Sequence, residues 1–500
     1  MNQLIWNNFF LYFLHYYDID FVKSHSIHDY GQTFTGWLSL LSCSFFFIKN
    51  FITVKSNLIA VIACLAIFAS CKKKDQASTD PGTQPGTSAA DKIKDSTVLY
   101  SRDIYLWYSQ IPASFNGRTY ADPNAIMTAV RAYSNEPGFS QPVDRWSFAV
   151  KQQEWDNVSS GAAQDFGMNV FFRVEGDLRV RFVERASPAG IAGVKRGWRI
   201  TKINNNTNIT TGNANFIIDG VYNSTASSFT FEKPDGSTTD ITLNAAAYQE
   251  HPVFLDSVYT AGTKKIGYIV FNSFLGDTTE INNEFQRVFS KFAAANVDEV
   301  AVDLRYNGGG YVSLQQKFAN YLVNSSANGQ LMMKEQFNDR YTQFNESTNF
   351  QKLGSLNLSR VFFIVSSNTA SASELLINNL KPFMNVVLVG PSKTYGKPVG
   401  FFPIPVGDWY IFPVSFRSTN KNGEGNYFDG LALNNTVADG LDKNWGDVNE
   451  SAFASVIRYV STGAFRLPLA PAYTENPQIS SGNRELDRTF KGMIDTKRKF

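Results

Sequence analysis

Along the chain, unbroken apolar runs alternate with segments whose apolar residues recur at helical spacing, most sharply over 361–400. Residues 361–365 (VFFIV) are continuously apolar, the pattern of a strand buried on both faces. Small polar residues then lead to Ser371, after which Leu375, Leu376, Ile377 and Leu380 share a helical face. A second buried strand is expected at 386–389, followed by a loop from Gly390 to Gly400. Upstream, 266–274 opens another strand, 279–295 is an amphipathic helix, and a strand from Val300 runs into Gly308, Gly309 and Gly310. Strands alternating with helices predict an α/β core with a mostly parallel, helix-covered sheet. Segment 325–358 shows no clear period and reads as a lid or substrate-lining insertion, 409–416 as one strand, and 452–460 as a closing helix.

Two further regions precede this core. Residues 95–158 carry aromatic clusters and the apolar group Ala125, Ile126, Met127 and Val130, which predict a small helical cap whose Asp144-Arg-Trp-Ser stretch is structural. Residues 165–247 hold short alternating segments at 168–174, 178–183, 228–232 and 240–243, the pattern of a β domain.

The chemistry concentrates where the pattern is sharpest. A serine at a strand-to-helix corner projects its hydroxyl beside the first amides of the helix, which can stabilise an oxyanion. Ser371 is therefore the candidate nucleophile, with Lys397 in the loop after the returning strand as candidate base. A helix cap is the alternative, because Glu374 stands three residues after Ser371 in capping-box spacing. The three glycines allow close backbone approach to a reacting carbonyl, or else form an ordinary Asn-Gly turn. Of the four histidines, His15, His25 and His28 precede the expected processing site and only His251 follows it, so lysine is the economical base, and burial or a cationic neighbour must then depress its pKa.

Asp303-Leu-Arg-x-Asn-Gly-Gly-Gly, Ser371-Ala-Ser-Glu and Gly396-Lys397, in that order, resemble the C-terminal processing (tail-specific) serine peptidases. The resemblance spans roughly 166–463. It implies that Ser371 is the nucleophile and Lys397 the general base, and that amides of Gly309, with its neighbour Gly308, and of Ala372 form the oxyanion hole. Members that orient the lysine use a Gln four residues on. Here that position is Phe401, so what holds Lys397 stays open. The stretch from Ser187 to Asn204 resembles a protease-associated PDZ domain, with Phe166, Gly167 and Met168 as its carboxylate-binding loop. A plain β-barrel domain without peptide affinity is the alternative. PDZ modules take a chain end by strand addition, so the expected partners are protein or peptide substrates with exposed C-termini. No cofactor and no metal are implied.

Composition narrows the remaining classes. With 43% hydrophobic residues over 500 positions the chain can bury several cores, and a net charge of +2 gives no electrostatic case for nucleic acid. The three cysteines, Cys43, Cys64 and Cys71, all lie near the start, leaving the later chain without a disulfide or thiolate site. Residues 54–70 have the charged start, short apolar core and small-residue end of a secretion signal. Phe68-Ala-Ser-Cys resembles a lipobox, which makes Cys71 a lipidation site on the bacterial envelope, at the periplasmic face of the outer membrane.

The expected organisation is a multidomain α/β protein. Residues 1–53 are read as an extension upstream of a reading frame that starts at Val54, 54–70 as the signal peptide, and 71–94 as a flexible tether. A helical N-terminal cap covers 95–158, a PDZ-like β domain 160–248 and an α/β serine peptidase core 255–463, with 464–500 an unstructured tail. The predicted function is envelope proteolysis by a Ser/Lys dyad. The rivals are a non-catalytic lipid-anchored peptide binder with a peptidase-like fold and a hydrolase of non-peptide acyl groups.

Overall fold

The computed structural model describes residues 88–465 and 477–498. The expectations for 1–53, for the signal 54–70, for Cys71 and for most of the tether lie outside these residues. Helix Ala89–Ile104 begins within the expected tether, because Ser88 caps it by accepting from the Asp91 amide and its buried face carries Thr97, Ser101 and Ile104. Among the described residues no helix is long and apolar enough to cross a membrane.

A six-stranded sheet forms the centre, in the order Asn435–Thr436, Asn385–Gly390, Arg360–Ile364, Glu299–Asp303, Lys264–Phe271, Val253–Ala261. Its first four pairings are parallel and the last is antiparallel, so the sheet is mixed. The period-less apolar runs follow from burial on both faces. Val300, Val302, Val361 and Phe363 pack with helices Thr278–Ala294, Val312–Leu322 and Ala372–Leu380. Their neighbours Ala301, Phe362 and Ile364 pack on the other side against helix Ser451–Thr462.

Residues 89–151 share this principal core, through Ile104, Tyr105, Trp107, Ile126, Met127 and Trp146. Strand Phe148–Lys151 also pairs with Trp409–Phe412, and the Phe148 and Phe412 rings stack 4.4 Å apart. The antiparallel domain instead has its own core of Phe166, Val170, Phe172, Leu178, Phe229 and Phe231. Its five strands are consecutive, Met168–Val174, Asp177–Val183, Arg199–Ile203, Ala226–Glu232 and Thr238–Asn244, and a ribbon of Ala162–Asp165 with Ala246–Gln249 closes its entry and exit.

Three expectations are corrected. Segment 325–358 is no lid: Leu331–Phe337 and Glu346–Asn349 belong to a four-stranded sheet with Phe416–Asn420 and Val399–Gly400. The single strand expected at 409–416 is two, Trp409–Phe412 and Phe416–Asn420, divided at Pro413, which has no amide to continue a ladder. The tail expected to be unstructured contains helix Pro477–Leu486 and strand Gly492–Ile494, with Leu486, Met493 and Ile494 buried.

A buried ion cluster joins the antiparallel domain to the central sheet. Arg305, wholly buried, pairs with Asp303 at 2.7 Å, Glu450 at 2.8 Å and Asp439 at 2.7 Å, and Arg196 of the antiparallel domain pairs with the same Asp439 at 2.5 Å. Burial opposes ionisation of Asp439, but the two guanidiniums overcome it and pull its pKa down to about 2. Asp303→Ala leaves Arg305 buried with one partner fewer. Chemical denaturation is expected to show a loss of about 3–5 kcal/mol, and a change within experimental error would contradict this role.

Candidate active site

The corner between strand Arg360–Ile364 and helix Ala372–Leu380 is stitched to the end of strand Glu299–Asp303. Thr369 Oγ1 donates to Leu304 O at 2.7 Å, and the Ala370 amide and Ser373 Oγ both donate to Asn307 O at 3.1 Å. Ser371 sits at the corner with φ 59°, a conformation that costs a non-glycine residue about 1–3 kcal/mol and is kept only where the surroundings over-determine it. It is fully buried, and its Oγ has no hydrogen-bond partner. Ser371 and Glu374 have the arrangement of a capping box, and its firm bond is on the carboxylate side, where the Ser371 amide donates to Glu374 Oε2 at 2.8 Å.

Glu374 does much more than cap. The same Oε2 accepts from the Lys397 amide at 2.8 Å, while Oε1 accepts from the Gly396 amide at 2.7 Å and from Thr394 Oγ1 at 2.5 Å. One buried carboxylate therefore clamps the backbone of the candidate nucleophile to that of the candidate base. Gly396 is required beside it: its φ is +89°, and a Cβ there would meet Phe428 O at 2.2 Å.

Lys397 is fully buried. Its amine donates to Lys491 O at 2.9 Å and lies 3.8 Å from the centre of the Phe401 ring and 5.7 Å from that of Trp146. Burial holds its pKa well below 10.5 and Arg131 adds to the effect, while Asp144 and Glu374 oppose it. Asp144 is itself buried and accepts from Tyr105 OH at 2.8 Å and Ser147 Oγ at 2.5 Å. The stretch read as purely structural therefore also sets the electrostatics around Lys397.

The Glu374 carboxylate bridges the Ser371 and Lys397 amides, but no hydrogen bond joins their reactive atoms: Oγ is partnerless and the amine is engaged by Lys491. The Gly309 amide donates to Asn307 Oδ1 at 2.9 Å, and Gly308 O accepts from the Gly492 amide at 3.0 Å. A Cβ on Gly309 would lie 2.9 Å from the Ala372 amide nitrogen, so these two expected oxyanion donors sit against one another. His251 is elsewhere, its Nδ1 2.6 Å from Glu280. In the antiparallel domain the Gly167 amide donates to Asp165 Oδ1 at 2.7 Å, so that amide of the loop of Phe166, Gly167 and Met168 is engaged within the chain. Sequence reasoning missed the second task of Glu374, the Phe401 ring and the Lys491 carbonyl. The first carried a signal as an acid three residues after the serine and the second as the residue four after the lysine, whereas the Lys491 carbonyl carried none.

Residues 265–444 match the family model of peptidase family S41. The chain carries a peptidase family S41 domain. Membership of that family implies a serine-type peptidase hydrolase for this domain. The fold resembles that of a putative S41 protease from Bacteroides fragilis, with 21% identity, a TM-score of 0.61, and coverage of 77% of this chain and 99% of that one. The photosystem II D1 C-terminal processing protease also aligns, at 15% identity and TM-score 0.45, over 75% of this chain and 98% of that one. No curated protein matches the chain.

The buried amine in the S41 domain has a consequence for stability. Between its lowered pKa in the fold and 10.5, Lys397 holds a proton in the unfolded chain that the folded chain has lost, so folding bears a cost that grows as pH falls through that window and vanishes above 10.5. Relative to Lys397→Met, the parent is expected to gain melting temperature as pH rises from neutral towards 10.5. A pH-independent difference would show that the amine is protonated in the fold.

Proposed function

We propose that this chain is a serine endopeptidase of the bacterial cell envelope, in which a PDZ-like domain at 160–248 captures exposed chain ends and Ser371 with Lys397 cleaves the delivered chain. The carrying observation is the Glu374 carboxylate, which holds the Ser371 amide and the Gly396 and Lys397 amides together around a partnerless hydroxyl and a buried amine. Neutral Lys397 takes the proton of Ser371 Oγ as Oγ bonds to the substrate carbonyl carbon, and the amides of Gly309 and Ala372 receive the oxyanion. The peptide C–N bond then breaks, Lys397 returns the proton to the leaving amine, and water hydrolyses the acyl-enzyme by the same route. Two contacts must change first, Gly309 with Asn307 and Lys397 with Lys491. Cys71 would carry the lipid that anchors the enzyme to the membrane, and a cap at 95–158 would supply Trp146 beside the base and Asp144 acting on it from a distance.

Those same two contacts favour a second reading, a tethered peptide binder that does not cut. Ser371→Ala and Lys397→Ala are each expected to abolish peptide cleavage while the chain still melts cooperatively. A serine-reactive acylating probe should label Ser371 in the parent alone. The acid limb of the pH profile should reflect the lowered pKa of Lys397, activity falling as the amine gains its proton. Appreciable cleavage by either variant would rule out the dyad.

A further inference from the structure

Residues 487–498 return to the active site as a foreign strand would. Gly492–Ile494 lies parallel to Gly309–Tyr311, with Gly309 opposite Gly492, Gly310 opposite Met493 and Tyr311 opposite Ile494. Across its other edge the Phe401 amide donates to Met493 O at 3.0 Å, and the Asp495 amide donates to Phe401 O at 3.1 Å. The segment thus fills the slot between the glycine run and the loop bearing Lys397. Its Met493 side chain is wholly buried with Sδ 3.6 Å from Ser418 Oγ, and Ile494 is 1% exposed. Two glycines make room for it: a Cβ on Gly308 would lie 1.8 Å from Phe490 O, and one on Gly309 would lie 2.2 Å from Gly492 O.

These contacts have the form of peptide recognition by strand addition, in which backbone bonds are sequence-independent and side-chain pockets give selectivity. The segment also engages the site's chemistry, because Lys491 O holds the Lys397 amine while Ser371 Oγ stays partnerless. Just before it, Asn483 bonds both the amide and the carbonyl of Phe172 on the outer edge of Met168–Val174, at 2.7 and 2.9 Å, and Leu486 enters the core of the antiparallel domain. One stretch of chain therefore covers a sheet edge in that domain and the slot beside the nucleophile.

We infer that the slot between Gly309–Tyr311 and Phe401 is the substrate-strand site, that it takes extended peptides with an unbranched apolar side chain at the Met493 position, and that residues 491–495 are a resident competitor that leaves before Lys397 faces Ser371. This rests on the peptidase reading above. Met is long and flexible enough to fill a pocket ending on the Ser418 hydroxyl, whereas a charge there has no partner.

The test uses the full chain and a labelled synthetic peptide of residues 488–497. Met493→Asp with Ile494→Asp places two charges in the slot and should expel the segment. In the Ser371→Ala background, fluorescence anisotropy should show the expelled chain binding the peptide about tenfold more tightly than the parent background does. With Ser371 intact, the expelled chain should cleave an unrelated peptide substrate with kcat/KM raised about tenfold, and the 488–497 peptide should inhibit it competitively. Aspartate at the Met493 position of that peptide should abolish inhibition. If the double variant loses cooperative melting, Met493→Ser carries the same comparison with about a threefold gain. Equal peptide binding with and without the segment overturns the inference while leaving Ser371-dependent cleavage untouched. Tighter binding without any cleavage keeps the slot and removes the peptidase.

Discussion

The Glu374 carboxylate is the constraint on which the site depends. It receives three backbone amides and one hydroxyl from two separate loops, all in the protein interior. Burial drives its pKa up and the four donors push it back, because each needs an oxygen lone pair that a proton would block. A shorter acid would not reach both loops, and an amide side chain would offer a donor where an acceptor is required. The strained φ of Ser371 belongs to the same account, since an amide bonded to a buried carboxylate holds the corner in a conformation it would otherwise leave.

The amine of Lys397 is governed by the opposite balance. Nothing anionic touches it: its neighbours are the Phe401 and Trp146 rings and a carbonyl, while Asp144 acts from a distance with its oxygens engaged by Tyr105, Ser147 and two amides. An ion pair would fix the proton on the amine, whereas aromatic walls and a remote carboxylate leave it removable. This arrangement needs residues 89–151 in the principal core, because they supply Asp144 and Trp146. Four residues after the lysine, the Phe401 ring lies 3.8 Å from the amine and offers it packing rather than a hydrogen bond.

What could be read from the sequence was whatever left a local trace. The run at 361–365 and the spacing of Leu375, Leu376, Ile377 and Leu380 marked the strand and helix around Ser371 because both are buried on nearly every side. Strand Leu331–Phe337 escaped notice because an inward position of its alternation is Glu335. That acid is buried at 2% exposure, and burial, helped by nearby Asp495 and Glu346, lifts its pKa to about 8. The strand at Gly492–Ile494 left no trace at all. Three residues have no period, and their pairing is with backbone about 180 positions earlier, which side-chain pattern does not encode.

The triple glycine shows why the motif and its geometry are hard to separate. A side chain on Gly308 would strike Phe490 O, on Gly309 both Gly492 O and the Ala372 amide, and on Gly310 the backbone of Phe274 at 2.3 Å. Three pieces of backbone converge on three consecutive residues: the returning segment, the start of helix Ala372–Leu380 and the segment just after strand Lys264–Phe271. An ordinary turn would ask for one glycine at one φ. Three are needed because no Cβ fits at any of these positions, and the space kept clear in this way is what allows a chain to lie within reach of Ser371.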